Sequence, residues 1–230
     1  MLKIQQKEKI MKKYFPVLRK CTLFDQVADE DLIALLGCLG ARVQSYQKKD
    51  TVLSEGETAT HIGILLSGSV QMIQHDYFGN RSIVSEIHAS QLFAESFACA
   101  GDAELPVSVI ANEPSEVMFI NCNRVMYTCA NACAFHGKII YNLMKTMANK
   151  NILFHQKLQI TSKRTTREKL MTYLLQQAKR KGKNSFEIPF NRQELADYLE
   201  VDRSGLSAEI SKLRDEGILK SDRSRFELLQ

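Results

Sequence analysis

The chain has 230 residues, of which 44% are apolar and 25% charged, a composition typical of a globular protein that excludes collagen-like and disordered classes. Its length suits one large domain or two small ones. The opening sequence MLKIQQKEKIMKKYF lacks the apolar core of a signal peptide, and no apolar run approaches the roughly 20 residues that cross a bilayer. We therefore expect a cytoplasmic protein with no membrane segment.

The net charge of +5 is distributed unevenly. Residues 1–154 contain 15 basic and 15 acidic residues, whereas residues 155–230 contain 16 and 11. A basic segment that follows a neutral one favours a polyanionic partner for the last third of the chain. The alternative is a solvated lysine-rich surface without a partner.

The first predicted elements are helices, and strands follow them. Within about residues 1–40, the sequence DEDLIALL places Leu32, Leu35 and Leu36 on one stripe, with Asp29 as a candidate N-cap. From about 41 to 121, short apolar runs such as HIGILLSGSVQMI alternate with turn signals around Gly56 and Gly79. Closely spaced short strands predict an antiparallel roll or barrel.

A long helix is predicted over about residues 124–162. A near-heptad seam of apolar residues predicts a dimer interface with a second copy of the chain, interrupted by Lys150 or Asn151. The alternative is that this helix lies on its own roll. The predicted interface residues are Ile140, Leu143, Met147, Phe154 and Leu158.

The last region, from about residue 165, predicts helix, strand, helix, helix and a strand pair. Asn191 with Glu194 has capping-box spacing, and Asp202 is the next candidate N-cap. The second helix of this pair repeats Leu206, Ile210 and Leu213 on one face, and Gly217 follows its end. Two helices joined by a short turn and followed by a polar β-wing form a winged helix-turn-helix.

The outward face of that second helix indicates DNA binding. Its small side chains allow it to enter a major groove about 12 Å wide, and Arg203 stands at the N-terminal end, where recognition helices meet base edges. A winged helix used for protein contact is the alternative. The predicted DNA-contacting residues are Arg192, Gln193, Arg203, Ser204, Ser207, Ala208, Ser211, Lys212, Arg223 and Arg225.

The segment RQELADYLEVDRSGLSAEISKLRDEGIL resembles the DNA-reading segment of the Crp/Fnr superfamily of bacterial transcription regulators. LFDQVADEDLIALL resembles the family's opening helix, YQKKDTVLSEGETATHIGILLSGSVQMI its cyclic-nucleotide-binding-type roll, and the long helix its dimer helix. The resemblance implies a homodimer that binds pseudo-palindromic double-stranded DNA and responds to an effector in the roll, with RNA polymerase as a further partner.

The resemblance fails at the phosphate cassette of cyclic-AMP-binding members, which is Gly-Glu followed about ten residues later by Arg-Ser or Arg-Thr. The matching sequence FAESFACAGDAELPVSV places Ala94 at the glycine, Leu105 at the arginine and Pro106 at the hydroxyl residue. Without the arginine nothing neutralises a phosphate, so we expect an effector other than cyclic AMP, or none. Glu95 is either an effector contact or a structural capping acid. The predicted effector residues are Ala94, Glu95, Ser96, Leu105, Pro106 and Val107.

The cysteines and the search for enzyme motifs do not indicate a catalytic or metal-binding function. The six cysteines, Cys21, Cys38, Cys99, Cys122, Cys129 and Cys133, form no C-x-x-C motif and lack the N-terminal cluster of the family's iron–sulfur branch. Buried inert thiols are expected, and redox sensing by Cys99, Cys129 or Cys133 is the alternative. No catalytic motif or metal-ligand spacing occurs, so we predict no enzyme activity, no metal and no cofactor.

Taken together, the sequence predicts an α+β protein. Its parts are an N-terminal antiparallel β-roll of jelly-roll type (residues 1–123), a dimerisation helix with linker (124–162) and a winged helix-turn-helix domain (163–230). The predicted function is a homodimeric, sequence-specific DNA-binding transcription regulator. A ligand-binding module that signals through protein contact is the alternative.

Overall fold

The computed structural model describes residues 11–75, 77, 81–101, 103–127 and 135–229, with the backbone alone at 75 and 81–83. The chain divides into two compact units, residues 1–148 and 149–230. The separate linker at 124–162 stays a prediction.

The first unit opens with short helices that cover one side of its core. They are α1 (Phe15–Leu18), a 3-10 helix (Thr22–Phe24) and α2 (Asp29–Cys38). The predicted stripe of three leucines on α2 is fully buried. Asp29 does not cap α2, because Ala28 is the N-cap residue and the Asp29 carboxylate accepts a hydrogen bond from Arg19 Nε at 2.7 Å.

Two four-stranded antiparallel sheets follow, as the short apolar runs predict. Their orders are β1-β8-β3-β6 and β2-β7-β4-β5, and both contribute side chains to one hydrophobic core. The strands are β1 (Arg42–Tyr46), β2 (Thr51–Leu53), β3 (His61–Ser67), β4 (Ser69–His75), β5 (Arg81–His88), β6 (Leu92–Phe93), β7 (Ser108–Ala111) and β8 (Ser115–Asn121).

The predicted long helix is interrupted. A short helix, α3 (Glu95–Ala100), precedes β7, and another, α4 (Cys122–Met126), follows β8 directly. The Asn121 side chain caps α4 by accepting from Arg124 N at 3.1 Å, and the chain becomes extended at Tyr127. The long helix α5 therefore spans His136–Thr161 instead of starting near residue 124. Cys129 and Cys133 lie outside the described residues.

The two halves of α5 bury different side chains. In the first half, Leu143 is 1% exposed within the roll's core and Met147 packs against that core, as the alternative interpretation of the helix predicts. In the second half, Phe154 and Leu158 are 67% and 51% exposed. Leu143 is therefore covered within its own chain and is unavailable to a partner helix. Among the described helices, none combines the length and apolarity of a bilayer-spanning segment.

The second unit has the predicted order of elements around its own core. They are α6 (Thr166–Lys181), β9 (Ser185–Glu187), α7 (Arg192–Leu199), α8 (Arg203–Asp215), β10 (Leu219–Asp222) and β11 (Arg225–Leu228). The strands form one antiparallel sheet in the order β10-β11-β9. Tyr173 of α6 and Phe226 of β11 are the largest fully buried side chains of this core. This is a winged helix-turn-helix.

Candidate nucleic-acid interface and effector cavity

The start of α7 and the turn between α7 and α8 are defined by hydrogen bonds within a few residues. The Asn191 side chain accepts from Glu194 N at 3.0 Å, and the Glu194 carboxylate accepts from Asn191 N at 2.7 Å, so the predicted capping box is present. Glu200 ends α7 in the left-handed region, with φ of 54°. Asp202 caps α8 by accepting from Gly205 N at 2.7 Å. These local bonds define the start of each helix and the turn that joins them.

One face of α8 is buried and the other is available to a partner. Leu206, Ile210 and Leu213 are buried in the core of the unit, which confirms the predicted anchors. Six predicted contact residues lie on α8, and of these only Ser211 is half-buried. The other five, Arg203, Ser204, Ser207, Ala208 and Lys212, are exposed. The exposed face thus consists of small side chains with a cation near each end.

Two serines at the start of α8 use their hydroxyls within the helix. Ser207 Oγ donates to the Arg203 carbonyl at 3.0 Å, and Ser204 Oγ donates to the Asp202 carboxylate. The bond from Ser204, together with the Gly205 amide, lowers the pKa of Asp202, which keeps the cap ionised. Within the described part of the chain the Arg203 guanidinium has no hydrogen-bond or ion-pair partner. Its fork of donors is therefore available to a ligand.

A second basic surface lies beside α7. Arg180, Lys181, Arg192 and Arg223 line a cavity of about 1100 Å3 together with Glu187 and Glu194. The guanidinium carbon of Arg192 lies 5.8 Å from the centroid of the Phe226 ring. Burial lowers the pKa of the Arg192 guanidinium. The structure thus brings the predicted residues Arg192 and Arg223 together.

Sequence reasoning missed two residues of this surface. The basic last turn of α6, which contains Arg180 and Lys181, has an ordinary role at the negative end of a helix dipole. Only the fold places these two residues beside the wing. The remaining predicted contacts lie apart from this cavity: Gln193 donates to Asp197 at 2.8 Å, and Arg225 is exposed on β11.

Two family models match this chain in successive segments. One described as a cyclic nucleotide-binding domain matches residues 43–131, and one described as a Crp-like helix-turn-helix domain matches residues 168–230. The first segment contains both roll sheets, and the second contains α7, α8 and the wing. This chain belongs to the Crp/Fnr superfamily of transcription regulators. Members of this superfamily bind DNA and are commonly dimeric.

Solved structures with this fold are distant in sequence. CprK in complex with OCPA is 12% identical, covering 85% of this chain and 88% of its own, with a TM-score of 0.60. The c-di-GMP responsive global regulator CLP of Xanthomonas campestris is 15% identical, covering 86% and 98%, with a TM-score of 0.54. These likenesses establish the fold alone. No curated protein sequence matches this chain significantly.

The predicted effector residues fall in two places in the Crp/Fnr-type roll. Ala94, Glu95 and Ser96 are at the start of α3, where Glu95 is buried and Ser96 is exposed. Ala94 occupies the left-handed region with φ of 60°, a conformation that costs a side-chain-bearing residue about 1–2 kcal/mol and glycine much less. Ala94, which stands where the family has a glycine, is therefore held in a strained backbone conformation.

The other effector residues form a corner tied to the turn before β3. Leu105 is 2% exposed, its N–H donates to the Glu57 carbonyl at 2.9 Å, and its carbonyl accepts from Gly56 N at 2.9 Å. Pro106 is exposed and Val107 is buried. This corner presents a buried leucine where cyclic-AMP-binding relatives place an arginine.

A cavity of about 280 Å3 opens beside Leu105. Arg42, Tyr46, Glu57 and His61 contribute its polar lining, whereas Ala94, Glu95 and Ser96 do not line it. Burial, assisted by the charge of Arg42, lowers the pKa of His61, so this imidazole is neutral near pH 7. Arg42 is then the cationic group of the cavity. Neither Arg42 nor His61 was marked by any sequence motif.

Proposed function

We propose that this protein is a homodimeric, sequence-specific DNA-binding transcription regulator whose DNA affinity is controlled by a small molecule other than cyclic AMP. The observation that carries the proposal is helix α8. It combines three buried anchors, an Asp202 cap, an outward face of small side chains, and the unpartnered Arg203 at its start. This combination suits insertion into a major groove with Arg203 directed to a guanine edge.

Phosphate contacts would come from the cations around the reading helix. Lys212 follows Arg203 along α8, and Arg225 lies on the wing. Arg180 and Arg223 face the large cavity beside α7. Contacts of this kind position a protein on the duplex without reading its sequence. We propose that the ten predicted DNA-contacting residues, extended by Arg180 and Lys181, form the DNA-binding surface.

The proposed dimer rests on the second half of α5. Phe154 and Leu158 are four residues apart on one helical face and are both exposed. Exposed large apolar side chains at such spacing favour packing against a second helix. Pairing of two chains there would present two α8 helices to half-sites about 34 Å apart on one face of DNA.

Replacing Arg203 by alanine should weaken binding to the preferred site by about 1–3 kcal/mol, or roughly 5- to 150-fold, because a bidentate contact to guanine is lost. To measure this, DNA sequences that bind the variant and sequences that bind the wild type are selected in parallel from one random pool. We expect a two-fold symmetric motif for the wild type and a relaxed base preference for the variant. Equal loss on all sequences would show that Arg203 contacts only phosphate.

A matched substitution separates charge from geometry in this experiment. Arg203→Lys keeps the positive charge but removes the planar fork that pairs with guanine. We expect the lysine variant to bind nonspecific DNA like the wild type and to lose most of the discrimination at one base step. A lysine variant with wild-type specificity would contradict bidentate readout.

Cyclic AMP is not expected to act as the effector of this protein. Since Leu105 replaces the phosphate-binding arginine, saturating cyclic AMP should change neither the thermal stability nor the DNA affinity. A true ligand at 100 times its Kd would stabilise the folded protein by about 2.7 kcal/mol. Thermal unfolding with cyclic AMP, and with AMP as the matched control, checks this. A saturable increase with cyclic AMP alone would overturn the proposal.

The effector itself is proposed to occupy the cavity beside Leu105. The cavity has one arginine, Arg42, one carboxylate, Glu57, and an otherwise uncharged wall. This lining suits a small carboxylate-bearing or apolar molecule better than a nucleotide phosphate with its ribose.

A further inference from the structure

Two cysteine thiols meet in the roll, although 23 positions separate them in the chain. Cys99 Sγ and Cys122 Sγ are 3.3 Å apart. Cys122 is 1% exposed at the first position of α4, and Cys99 is half-buried in the last turn of α3. A disulfide requires the sulfurs to approach by only roughly 1.2 Å, since its S–S bond is about 2.05 Å.

The two cysteines differ in how firmly the chain holds them. Cys122 continues directly from β8, and its backbone N–H donates to the Thr60 carbonyl at 3.1 Å. Cys99 lies on a six-residue helix that begins after left-handed Ala94 and ends at Gly101, where φ is 85°. Helix α3 packs against both α4 and β3. A small displacement of this short helix is enough to bring the Cys99 sulfur into bonding distance.

The pair is also chemically asymmetric. The two thiols share a hydrogen bond in which either sulfur can donate. When Cys122 donates, this bond lowers the pKa of the Cys99 thiol despite its partial burial and the nearby charge of Glu95. The same bond, with burial, raises the pKa of the Cys122 thiol. Because a thiolate is the nucleophile in thiol chemistry, Cys99 is the sulfur suited to attack an oxidant first, and the position of Cys122 beside it allows Cys122 to resolve the oxidised form.

We propose that Cys99 and Cys122 form a dithiol redox site that reduces a hydroperoxide and becomes a disulfide. The Cys99 thiolate attacks one peroxide oxygen, the O–O bond breaks, and the departing oxygen takes a proton and leaves as water or an alcohol. Cys99 is then a sulfenic acid. The Cys122 sulfur attacks it, the S–O bond breaks, and the hydroxide leaves as water with the Cys122 proton. Two thiols lose two electrons in total, and the peroxide gains them.

The described surroundings favour this chemistry over metal binding. Among the described residues, no three histidine, cysteine, aspartate or glutamate side chains are placed to hold a metal ion. A zinc site needs three or four protein ligands, whereas a disulfide needs only two sulfurs.

The site has a regulatory consequence that rests on the proposed function. A disulfide would fix α3, which begins with the predicted effector residue Glu95, to α4, which follows β8 at the end of the roll. We expect oxidation to change the DNA affinity by restricting how the roll responds to its effector. The redox chemistry itself does not require that the protein bind DNA.

The test is disulfide mapping of the full-length protein. The protein is reduced, freed of metal with a chelator, treated with an equimolar amount of hydrogen peroxide, quenched with acid and alkylated before peptide mass spectrometry. We expect one dominant cross-link, between the Cys99 and Cys122 peptides. The Cys99→Ser variant should lose it completely, Cys122→Ser should leave a Cys99 sulfenic acid that dimedone traps, and Cys38→Ser should behave like the wild type.

Several outcomes would overturn the proposal. These are a dominant cross-link elsewhere, including one between Cys129 and Cys133, unreacted thiols at Cys99 and Cys122, or a tightly bound metal that cysteine substitution removes. DNA binding is measured separately on the reduced and oxidised forms. A Cys99–Cys122 disulfide that leaves DNA affinity unchanged refutes the regulatory consequence alone. Absence of DNA binding in both forms refutes the proposed function and leaves the mapped redox site intact.

Discussion

Replacing Phe154 and Leu158 together by glutamate should make the protein monomeric and weaken its binding to a two-fold symmetric DNA site by about 10²–10⁴-fold. The loss follows because two linked reading helices bind as one bivalent unit, whereas separate chains bind each half-site independently. In a dimer, the four glutamates would lie close together in a seam that otherwise buries apolar surface. Burial of that surface is worth roughly 25 cal/mol per Å2.

Sedimentation velocity at micromolar concentration and DNA titration of whole and half sites measure these effects. The matched control is Leu175→Glu on α6, which also adds charge at an exposed large apolar side chain of the second unit, 52% exposed. This control variant should sediment with the same mass as the wild type and bind DNA with the same affinity. A double variant that still sediments as a dimer would locate the interface elsewhere, and a monomeric wild type would refute the dimer itself.

Gly68→Ala should destabilise the first unit by about 1–5 kcal/mol. Gly68 makes the tight turn between β3 and β4 with φ of 79°, which costs a residue with a Cβ about 1–2 kcal/mol. A Cβ there would also lie 2.3 Å from Ser115 Oγ and 2.6 Å from the Pro114 carbonyl oxygen. Overpacking against backbone typically costs about 1–3 kcal/mol more, and the lower entropy of the unfolded chain recovers up to about 1 kcal/mol.

Calorimetric unfolding of the full chain measures the change, since each kcal/mol corresponds to about 2–4 °C for a unit of this size. Gly37→Ala is the matched control. Gly37 is inside α2, has no positive φ, and a Cβ there would meet nothing within 4 Å. It should stabilise the protein by about 0.5–1 kcal/mol. Wild-type stability of the Gly68 variant would show that the β3–β4 turn rearranges at little cost.

The two units differ in how much of them could be predicted from the sequence. In the helix-turn-helix, the predicted caps at Asn191 and Asp202 and the anchors at Leu206, Ile210 and Leu213 are all confirmed. In the roll, the pattern of short strands was predictable but their pairing was not. In the sheet β1-β8-β3-β6, strand β8 pairs with β1 and β3 across 49 to 77 positions of the chain, and local patterns contain no information about such partners.

The errors have the same origin. The apolar pattern continues past Met126, so the sequence predicts one helix where the Asn121 cap and the extended Tyr127 define a separate short one. Leu143 fits the predicted dimer seam within the tolerance of a heptad, but the roll beneath α5 buries it. Asp29 has the residue type of an N-cap, yet α2 begins one position earlier than that role requires.

The sequence by itself determined the helix-turn-helix and its second helix, α8, with Arg203 at the first position. Capping boxes and helical periodicity act between residues three or four positions apart, so a local pattern is enough to predict them. It also determined that the phosphate-binding arginine is missing at Leu105, which is a matter of residue identity. Only the tertiary structure decided that Cys99 meets Cys122, that Arg42 and His61 share a cavity with Leu105, and that Arg180 lines one cavity with Arg223. Each of these contacts joins segments far apart in the chain, and packing of the sheets and helices around a shared core is what brings them together.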